Sequence, residues 1–128
     1  MTYGSRPTNA PYEEYPLWDV LRRTASRLPN KTAVIDGQRA FSFAHLDTQS
    51  TRFAVALINL GIGVGDRVGL FSPNCAEFVI SYYGILKAGA TVVPVNAAYR
   101  ELELAHQLDN SDVSLLITHE VLAPVAQA

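Results

Sequence analysis

The stretch that decides the fold is residues 67–117, which read RVGLFSPNCAEFVISYYGILKAGATVVPVNAAYRELELAHQLDNSDVSLLI. Short apolar runs alternate there with segments of helical length, in the order Arg67–Ser72, Cys75–Ala88, Thr91–Val95, Glu101–Leu108 and Val113–Ile117. Continuous apolar runs, as opposed to alternating ones, are typical of strands buried on both faces of a parallel sheet. The order of the segments therefore predicts an α/β fold built from parallel βαβαβ units with right-handed crossovers.

Flanking helices and a hairpin are predicted on the N-terminal side of this stretch. Apolar residues on one helical face predict a helix that begins at Pro16 and ends before Pro29, namely Leu17, Leu21, Ala25 and Leu28. Residues Thr32–Phe41 read as a β-hairpin, with Asp36-Gly37 as its tight turn.

The segment after the hairpin has the clearest helical periodicity in the chain. Residues 43, 46, 50, 53, 57 and 60 recur at spacings of three and four, and only Ser50 among them is polar. Ser42 is placed to cap the start of this helix, and Gly61 to end it in a left-handed conformation. A last short helix is expected near His119.

Composition narrows the classes of protein that this chain could be. Its 128 residues are 48% hydrophobic and 17% charged, with a net charge of −2, which is typical of one soluble globular domain and excludes a nucleic-acid-binding module. No basic run exceeds Arg22-Arg23, so a polybasic membrane patch is not supported. The longest uncharged apolar run, Phe78–Leu86, is far shorter than the roughly 20 residues of a transmembrane helix.

Location and domain organisation follow from the same reading. Residues 1–14 lack the apolar core of a secretory signal, and we expect a cytoplasmic protein with a flexible N-terminal arm there. Residues 15–128 are expected to form a partial α/β domain. A parallel sheet is normally buried on both faces and has neighbouring strands at its edges, and three parallel strands with a hairpin are few for such a sheet. Cys75 is the lone cysteine, which excludes an intrachain disulfide and a cysteine-rich zinc site.

Two local patterns invite a chemical interpretation and support a structural one better. The glycines of residues 61–66 (GIGVGD) run from helix to strand, opposite to a dinucleotide-binding loop, and Asp66 replaces its third glycine. They read as a helix C-cap followed by a tight turn. Cys75 begins a helix but has no base placed next to it by the sequence, and Asn74 with Glu77 reads as a capping box.

The remaining polar candidates are dispersed. The histidines, His45, His106 and His119, lie in three separate predicted elements and lack metal-ligand spacing. The acids Glu101, Glu103 and Asp109 read as solvated charges on one helix. The sequence therefore assigns no catalytic residue, no cofactor-binding residue and no metal ligand.

Four segments, taken in order, resemble motifs of the AMP-forming acyl-CoA synthetases. Phe41–Leu46 resembles the motif (L/F)-(T/S)-(Y/F)-x-E-L, and Gly65–Val68 followed by Ser72–Asn74 resembles GD-x-V-x-(hydrophobic)-x-x-N. Leu86–Asn96 is similar to LKAGA-x-(V/Y)-VP-(hydrophobic)-(N/D), and Glu101–Ile117 to E-L-x-x-x-L ending in L-I. The resemblance covers about Tyr15–Thr118, with His45 standing where the family usually carries glutamate.

This resemblance implies the N-terminal portion of the large domain of an adenylate-forming enzyme. A carboxylic acid, a fatty acid in the favoured interpretation because Asn96 is typical of CoA ligases, would react with ATP to an acyl-adenylate and then pass to coenzyme A. ATP, Mg²⁺ and coenzyme A are implied for such a parent enzyme. The family's Ser/Thr/Gly-rich phosphate loop, its Thr-Glu motif, its ribose-binding aspartate and its C-terminal lysine have no counterparts in these residues, and the chain alone is expected to be inactive.

Two other functions stay open at this point. The chain could be a naturally short, non-catalytic relative that acts as a protein-interaction module. It could also be a small flavodoxin-like binding domain, against which the hairpin at 32–41 counts. The expected partners are the remainder of a ligase chain and, for the parent enzyme, a small carboxylic acid. Self-association through an open sheet edge or the N-terminal arm is also expected.

Overall fold

The structure is a computed structural model that describes residues 14–128, so the expected N-terminal arm lies outside the described residues except for Glu14. The regular elements are α1 (Leu17–Arg27), β1 (Thr32–Asp36), β2 (Arg39–Ser42), α2 (Phe43–Asn59), β3 (Arg67–Phe71), α3 (Ala76–Lys87), β4 (Thr91–Val95), α4 (Glu101–Ser111), β5 (Leu115–Thr118) and α5 (Ala123–Ala126). A single 3₁₀ turn, Glu120–Leu122, precedes α5. Among residues 14–128, no helix is both long enough and apolar enough to cross a membrane.

Two sheets carry the strands, and both were predicted. The strands β1 and β2 form an antiparallel hairpin. The other three form a parallel sheet in the order β4-β3-β5, with Val68 of the central strand opposite Val92 and Leu115. The α/β fold with a hairpin and parallel βαβαβ units is therefore confirmed.

The central strand β3 supplies side chains to both faces of the parallel sheet. Because side chains alternate along a strand, Val68 and Leu70 point to one face and Phe71 to the other. Val68 and Leu70 join a core cluster with Leu57 of α2 and Ile85 of α3. Phe71 joins a second cluster with residues of β4 and α4, and α5 packs on its edge. Helices therefore cover both faces, which explains why β3 reads as a continuous apolar run.

Helix ends follow the sequence signals in part. Ser42 Oγ accepts a hydrogen bond from the His45 N–H at 3.1 Å, as predicted for the α2 cap. Gly61 and Gly89 adopt positive φ after α2 and α3, as the left-handed caps require. Pro16 is the N-cap of α1 and not its first residue.

Several predicted positions differ from the structure. The hairpin turn lies one residue later, at Gly37-Gln38, because Asp36 still pairs with Arg39 and only Gly37 has positive φ. The apolar residues at the ends of predicted helical faces are exposed, namely Leu17, Leu28 and Leu60, because each lies past the part of its helix that packs on a neighbour. Helix α4 continues to Ser111, three residues beyond its predicted end, and β5 correspondingly begins later.

Candidate functional site

A cleft opens at the carboxyl ends of β3 and β4. After β3 the chain enters α3 on one face of the sheet, and after β4 it enters α4 on the other. Ligands in open α/β sheets bind where adjacent strands send the chain to opposite faces in this way. The cleft has a volume of about 500 Å³ and is lined by Ser72, Pro73, Asn74, Phe78, Pro94, Val95, Asn96 and Ala97. That volume is within the range of small-molecule sites.

The lining of this cleft contains no ionisable side chain. The Ser72 hydroxyl is buried and donates to the Pro73 carbonyl at 2.9 Å. Asn96 Oδ1 accepts from the Ala98 N–H at 2.9 Å and so stabilises the turn that leads to α4. The cleft can therefore contact an apolar or amide-bearing group, but its side chains supply neither a general base nor a cation.

The N-terminus of α3 borders this cleft and is capped by a residue far away in sequence. The Ala76 N–H donates to Asp36 Oδ2 of the hairpin at 3.1 Å, and Cys75, the N-cap residue, makes no side-chain cap bond. The predicted Asn74–Glu77 capping box is therefore wrong. Asp36 already accepts the first N–H group of this helix, so that group is not available to a phosphate.

Arg39 ties the same carboxylate to α3. Its guanidinium lies 2.5 Å from Asp36 Oδ2 and 2.7 Å from Glu77 Oε1. The pKa of Glu77 is lowered to about 2, first by hydrogen bonds from Arg39 and then by one from the backbone N–H of Glu77 itself. The Ala76 N–H and then Arg39 lower the pKa of Asp36. We call these four residues, Asp36, Arg39, Ala76 and Glu77, the hairpin clamp. Sequence reasoning missed it, because its two hairpin residues are about 40 residues away from its two α3 residues.

Cys75 is partly buried beside the cleft and lacks a partner that would activate it. Its Sγ lies 3.6 Å from Ser72 Oγ, within hydrogen-bonding distance for a sulfur atom. A serine hydroxyl is not a base that could take the proton of the thiol. The structural interpretation of Cys75 therefore agrees with the geometry.

The glycine-rich segment, residues 61–66, forms a turn held by hydrogen bonds within it. Gly61 and Gly65 have φ of +88° and +91°, and Asp66 Oδ2 accepts from the Gly63 N–H at 2.8 Å. The Asp66 carbonyl accepts from the Thr91 N–H, which joins this turn to the start of β4. These groups hold a helix-to-strand turn, as the sequence predicted.

The histidines and acids are not brought together. His45 is exposed beside the Phe41 ring, His106 Nε2 lies 3.1 Å from Asn110 Nδ2, and His119 Nδ1 accepts from the Val121 N–H. On α4, Glu103 accepts from the Arg100 N–H at 3.1 Å, while Glu101 and Asp109 are exposed. Within residues 14–128, no three His, Cys, Asp or Glu side chains are grouped to hold a metal ion.

Comparison with known proteins assigns the family. Residues 21–128 match the AMP-binding enzyme family. The chain is 39% identical over 120 residues to a long-chain-fatty-acid–CoA ligase of Bacillus subtilis, covering 94% of this chain and 21% of that one. It is 40% identical over 101 residues to the syringomycin synthase SyrB1 of Pseudomonas syringae, covering 79% of this chain and 16% of that one.

A solved structure agrees with the sequence matches. The fold superposes on an inhibitor-bound N-terminal domain of FACL13 from Mycobacterium tuberculosis with a TM-score of 0.83 and 32% identity, covering 88% of this chain and 29% of that one. The chain spans about a fifth of the length of the curated relatives it matches. With the family match extending over most of its length, this chain belongs to the AMP-binding enzyme family.

Proposed function

We propose that this chain is the N-terminal portion of an AMP-forming acyl-CoA ligase. The whole protein activates a carboxylic acid with ATP to an acyl-adenylate and transfers the acyl group to coenzyme A. The observation that carries this proposal is the 39% identity, over 94% of this chain, to a relative described as a long-chain-fatty-acid–CoA ligase.

The role of these residues within the ligase is structural support for a cleft. ATP and Mg²⁺ need cationic groups and carboxylate ligands at the reacting phosphates. The cleft side chains carry no charge, and the α3 N-terminus is already capped by Asp36. The residues lining this cleft therefore do not fit a triphosphate or its metal ion, and we assign phosphate and metal binding to the rest of the ligase chain. Residues 1–128 alone are then inactive.

A fatty acid is the proposed substrate. One support is Asn96, because asparagine at this position of the motif is typical of CoA ligases. The other is the presence of fatty-acid–CoA ligases among the relatives. Sequence identity alone does not distinguish a fatty-acid–CoA ligase from a relative of the syringomycin synthase, because that synthase is also 40% identical to this chain. The apolar Phe78, Val95 and prolines of the cleft suit an uncharged alkyl or amide group better than an amino-acid zwitterion.

The experiment is ATP–pyrophosphate exchange by the whole protein with a panel of fatty, aryl and amino acids. We expect exchange with fatty acids and, after addition of coenzyme A, formation of the corresponding thioester. Residues 1–128 purified alone are the matched control and should show only background exchange. Exchange with amino acids only would overturn the fatty-acid assignment. Failure of the whole protein with every acid would favour the non-catalytic interaction module.

A further inference from the structure

One wall of the candidate cleft is formed by the segment that joins β3 to α3. Residues 72–74 follow β3 directly, and Phe78 lies in the first turn of α3. All four residues line the cleft, and we call them the cleft wall. Because residues 72–74 lead straight into α3, the position of the N-terminus of this helix decides where the cleft wall lies.

The cleft wall receives little support from its own side chains. The Ser72 hydroxyl donates to the carbonyl of the adjacent Pro73 and lies 3.6 Å from Cys75 Sγ, so both contacts stay within residues 72–75. Cys75, the N-cap residue, makes no side-chain cap bond to α3. Local interactions therefore leave the first N–H groups of α3 without a cap.

The hairpin supplies the cap that the local sequence lacks. Asp36 Oδ2 accepts from the Ala76 N–H at 3.1 Å, two residues beyond Asn74 of the cleft wall. Arg39 donates to the same Asp36 oxygen and, at 2.7 Å, to Glu77 Oε1. A carboxylate at the N-terminus of a helix is also favoured by the helix dipole. The hairpin thus holds the first turn of α3 from outside the segment that forms the cleft wall.

Open space separates parts of the hairpin from the cleft wall, so the polar bonds between them matter. A hollow of about 230 Å³ lies there, and Asn74 lines both this hollow and the cleft. The other residues around the hollow are Val34, Ile35, Asp36 and Cys75. Ile35 is 75% exposed, so its side chain does not pack the hairpin tightly onto α3. The cleft wall therefore has open space on both sides, and the Asp36 bond fixes its distance from the hairpin.

We propose that Asp36 is a positioning residue for the ligand that occupies the cleft, an inference that rests on the proposed ligase function. By capping α3, Asp36 holds Asn74 and Phe78 where an uncharged alkyl or amide-bearing chain contacts them. Two substrates of the proposed reaction carry such a chain, the fatty acid and coenzyme A. The triphosphate of ATP does not suit the cleft, because the lining has no charged side chain.

Loss of the cap should raise the KM for the ligand of the cleft. Without Asp36 the first turn of α3 frays, and the cleft wall is in its binding position for only a fraction of the time. The apparent affinity for the ligand falls by that fraction. Removal of a helix cap typically shifts such an equilibrium about fivefold. A purely structural role has a different signature, because a loss of folded enzyme lowers kcat and leaves KM unchanged.

The test is steady-state kinetics of the whole protein, with ATP, a fatty acid and coenzyme A varied in turn. Asp36→Ala should raise the KM for the fatty acid or for coenzyme A about fivefold and leave the KM for ATP unchanged. A rise for the fatty acid identifies the chain in the cleft as the alkyl chain, and a rise for coenzyme A identifies it as the amide-bearing arm. Asp36→Asn keeps an oxygen that can accept from the Ala76 N–H and should restore the KM.

Asp66→Ala is the matched control, because Asp66 Oδ2 accepts from the Gly63 N–H at 2.8 Å in the turn before β3. It removes the same kind of bond at the end of β3 opposite to the cleft and should leave all three KM values unchanged. Asp36→Glu moves the carboxylate by one methylene group and takes the place of Asp36→Ala if that variant does not fold.

Four results would overturn the positioning role of Asp36. They are a lower kcat with unchanged KM values, an equal rise in all three KM values, the same rise in Asp66→Ala, and no rescue by Asp36→Asn. Inactivity of the unsubstituted whole protein with every acid is a separate result, which would overturn the ligase function and the role of Asp36 together.

Discussion

Gly84 marks the closest approach of α3 to α2, where the structure has no room for a side chain. A Cβ atom at this position would lie 2.5 Å from Phe53 Cδ1 and 3.1 Å from the Ser50 carbonyl oxygen. We expect Gly84→Ala to lower the free energy of unfolding by about 1–3 kcal/mol, the usual range for overpacking. Gly63→Ala is the matched control, because nothing lies within 4 Å of its added Cβ. Urea unfolding measures both, and equal midpoints would contradict the packing argument.

Lys87 joins the same two helices through polar contacts. Its Nζ lies 2.6 Å from Asp47 Oδ1, 3.0 Å from the Asp47 carbonyl and 2.9 Å from Thr51 Oγ1. Only 9% of the Lys87 side chain is exposed, so Lys87→Met leaves the Asp47 carboxylate without this donor. We expect a loss of about 1–3 kcal/mol in the free energy of unfolding.

A double-mutant cycle separates that ion pair from the packing of the lysine stem. In the Asp47→Asn background, Lys87→Met should cost less than it does alone, because no carboxylate is then left unpaired. Chemical denaturation of the four proteins gives the coupling energy. An identical cost of Lys87→Met in both backgrounds would show that Asp47 contributes nothing through its charge.

At the level of elements, the hairpin clamp makes the attachment of β1–β2 to α3 sensitive to acid. Glu77 has a pKa of about 2 in the folded chain, below its ordinary value of 4.5, and the pKa of Asp36 is lowered as well. A carboxyl whose folded pKa is lowered stabilises the fold above its unfolded pKa and loses that contribution as the pH falls. Stability should therefore decline between pH 4.5 and about 2.

Arg39→Met tests this origin of the acid sensitivity. The variant lacks the guanidinium that lowers the Glu77 pKa, so its thermal midpoint should be lower at pH 7 and should fall less steeply toward pH 2. Arg52→Met removes an exposed arginine from α2 and should keep the slope of the unsubstituted protein. Parallel pH profiles for all three proteins would exclude Arg39 as the cause.

The clamp also shows where sequence reasoning reaches its limit. Ser42 caps α2 from the adjacent position, and the apolar run at Arg67–Phe71 forms a buried strand, so local patterns predict both. The α3 cap comes from Asp36, and a local reading favours Asn74 and Glu77 because they are near in sequence. Contacts across about 40 residues depend on how the hairpin packs, which no spacing along the chain encodes.

The candidate cleft was missed for a related reason. Its side chains are uncharged, so no motif of titratable residues points to it. A signal was nevertheless present, because Pro73–Asn74 and Asn96–Ala97 each follow a predicted strand directly. Had the strand order β4-β3-β5 been known, the change of helix face between neighbouring strands would have placed the cleft between those two segments.

On the scale of the whole molecule, the parallel sheet ends in two strands of different character. Strand β4 contains Pro94, which has no N–H to donate and is typical of an edge position. Strand β5 carries no proline, and its four residues are all only partly buried. An edge with unpaired backbone groups and half-covered apolar side chains is a template for pairing with another chain.

We therefore expect residues 1–128, purified alone, to self-associate through the β5 edge. The apparent mass from light scattering should rise with protein concentration above the 14.0 kDa of one chain. Ile35→Lys is the control, because Ile35 is 75% exposed on the hairpin and is not part of strand β5, so its replacement should leave the association unchanged. Abolition of the association by Ile35→Lys would place the contact on the hairpin. A constant 14.0 kDa species at all concentrations, with one cooperative unfolding transition, would show that this sheet is stable with its edges bare.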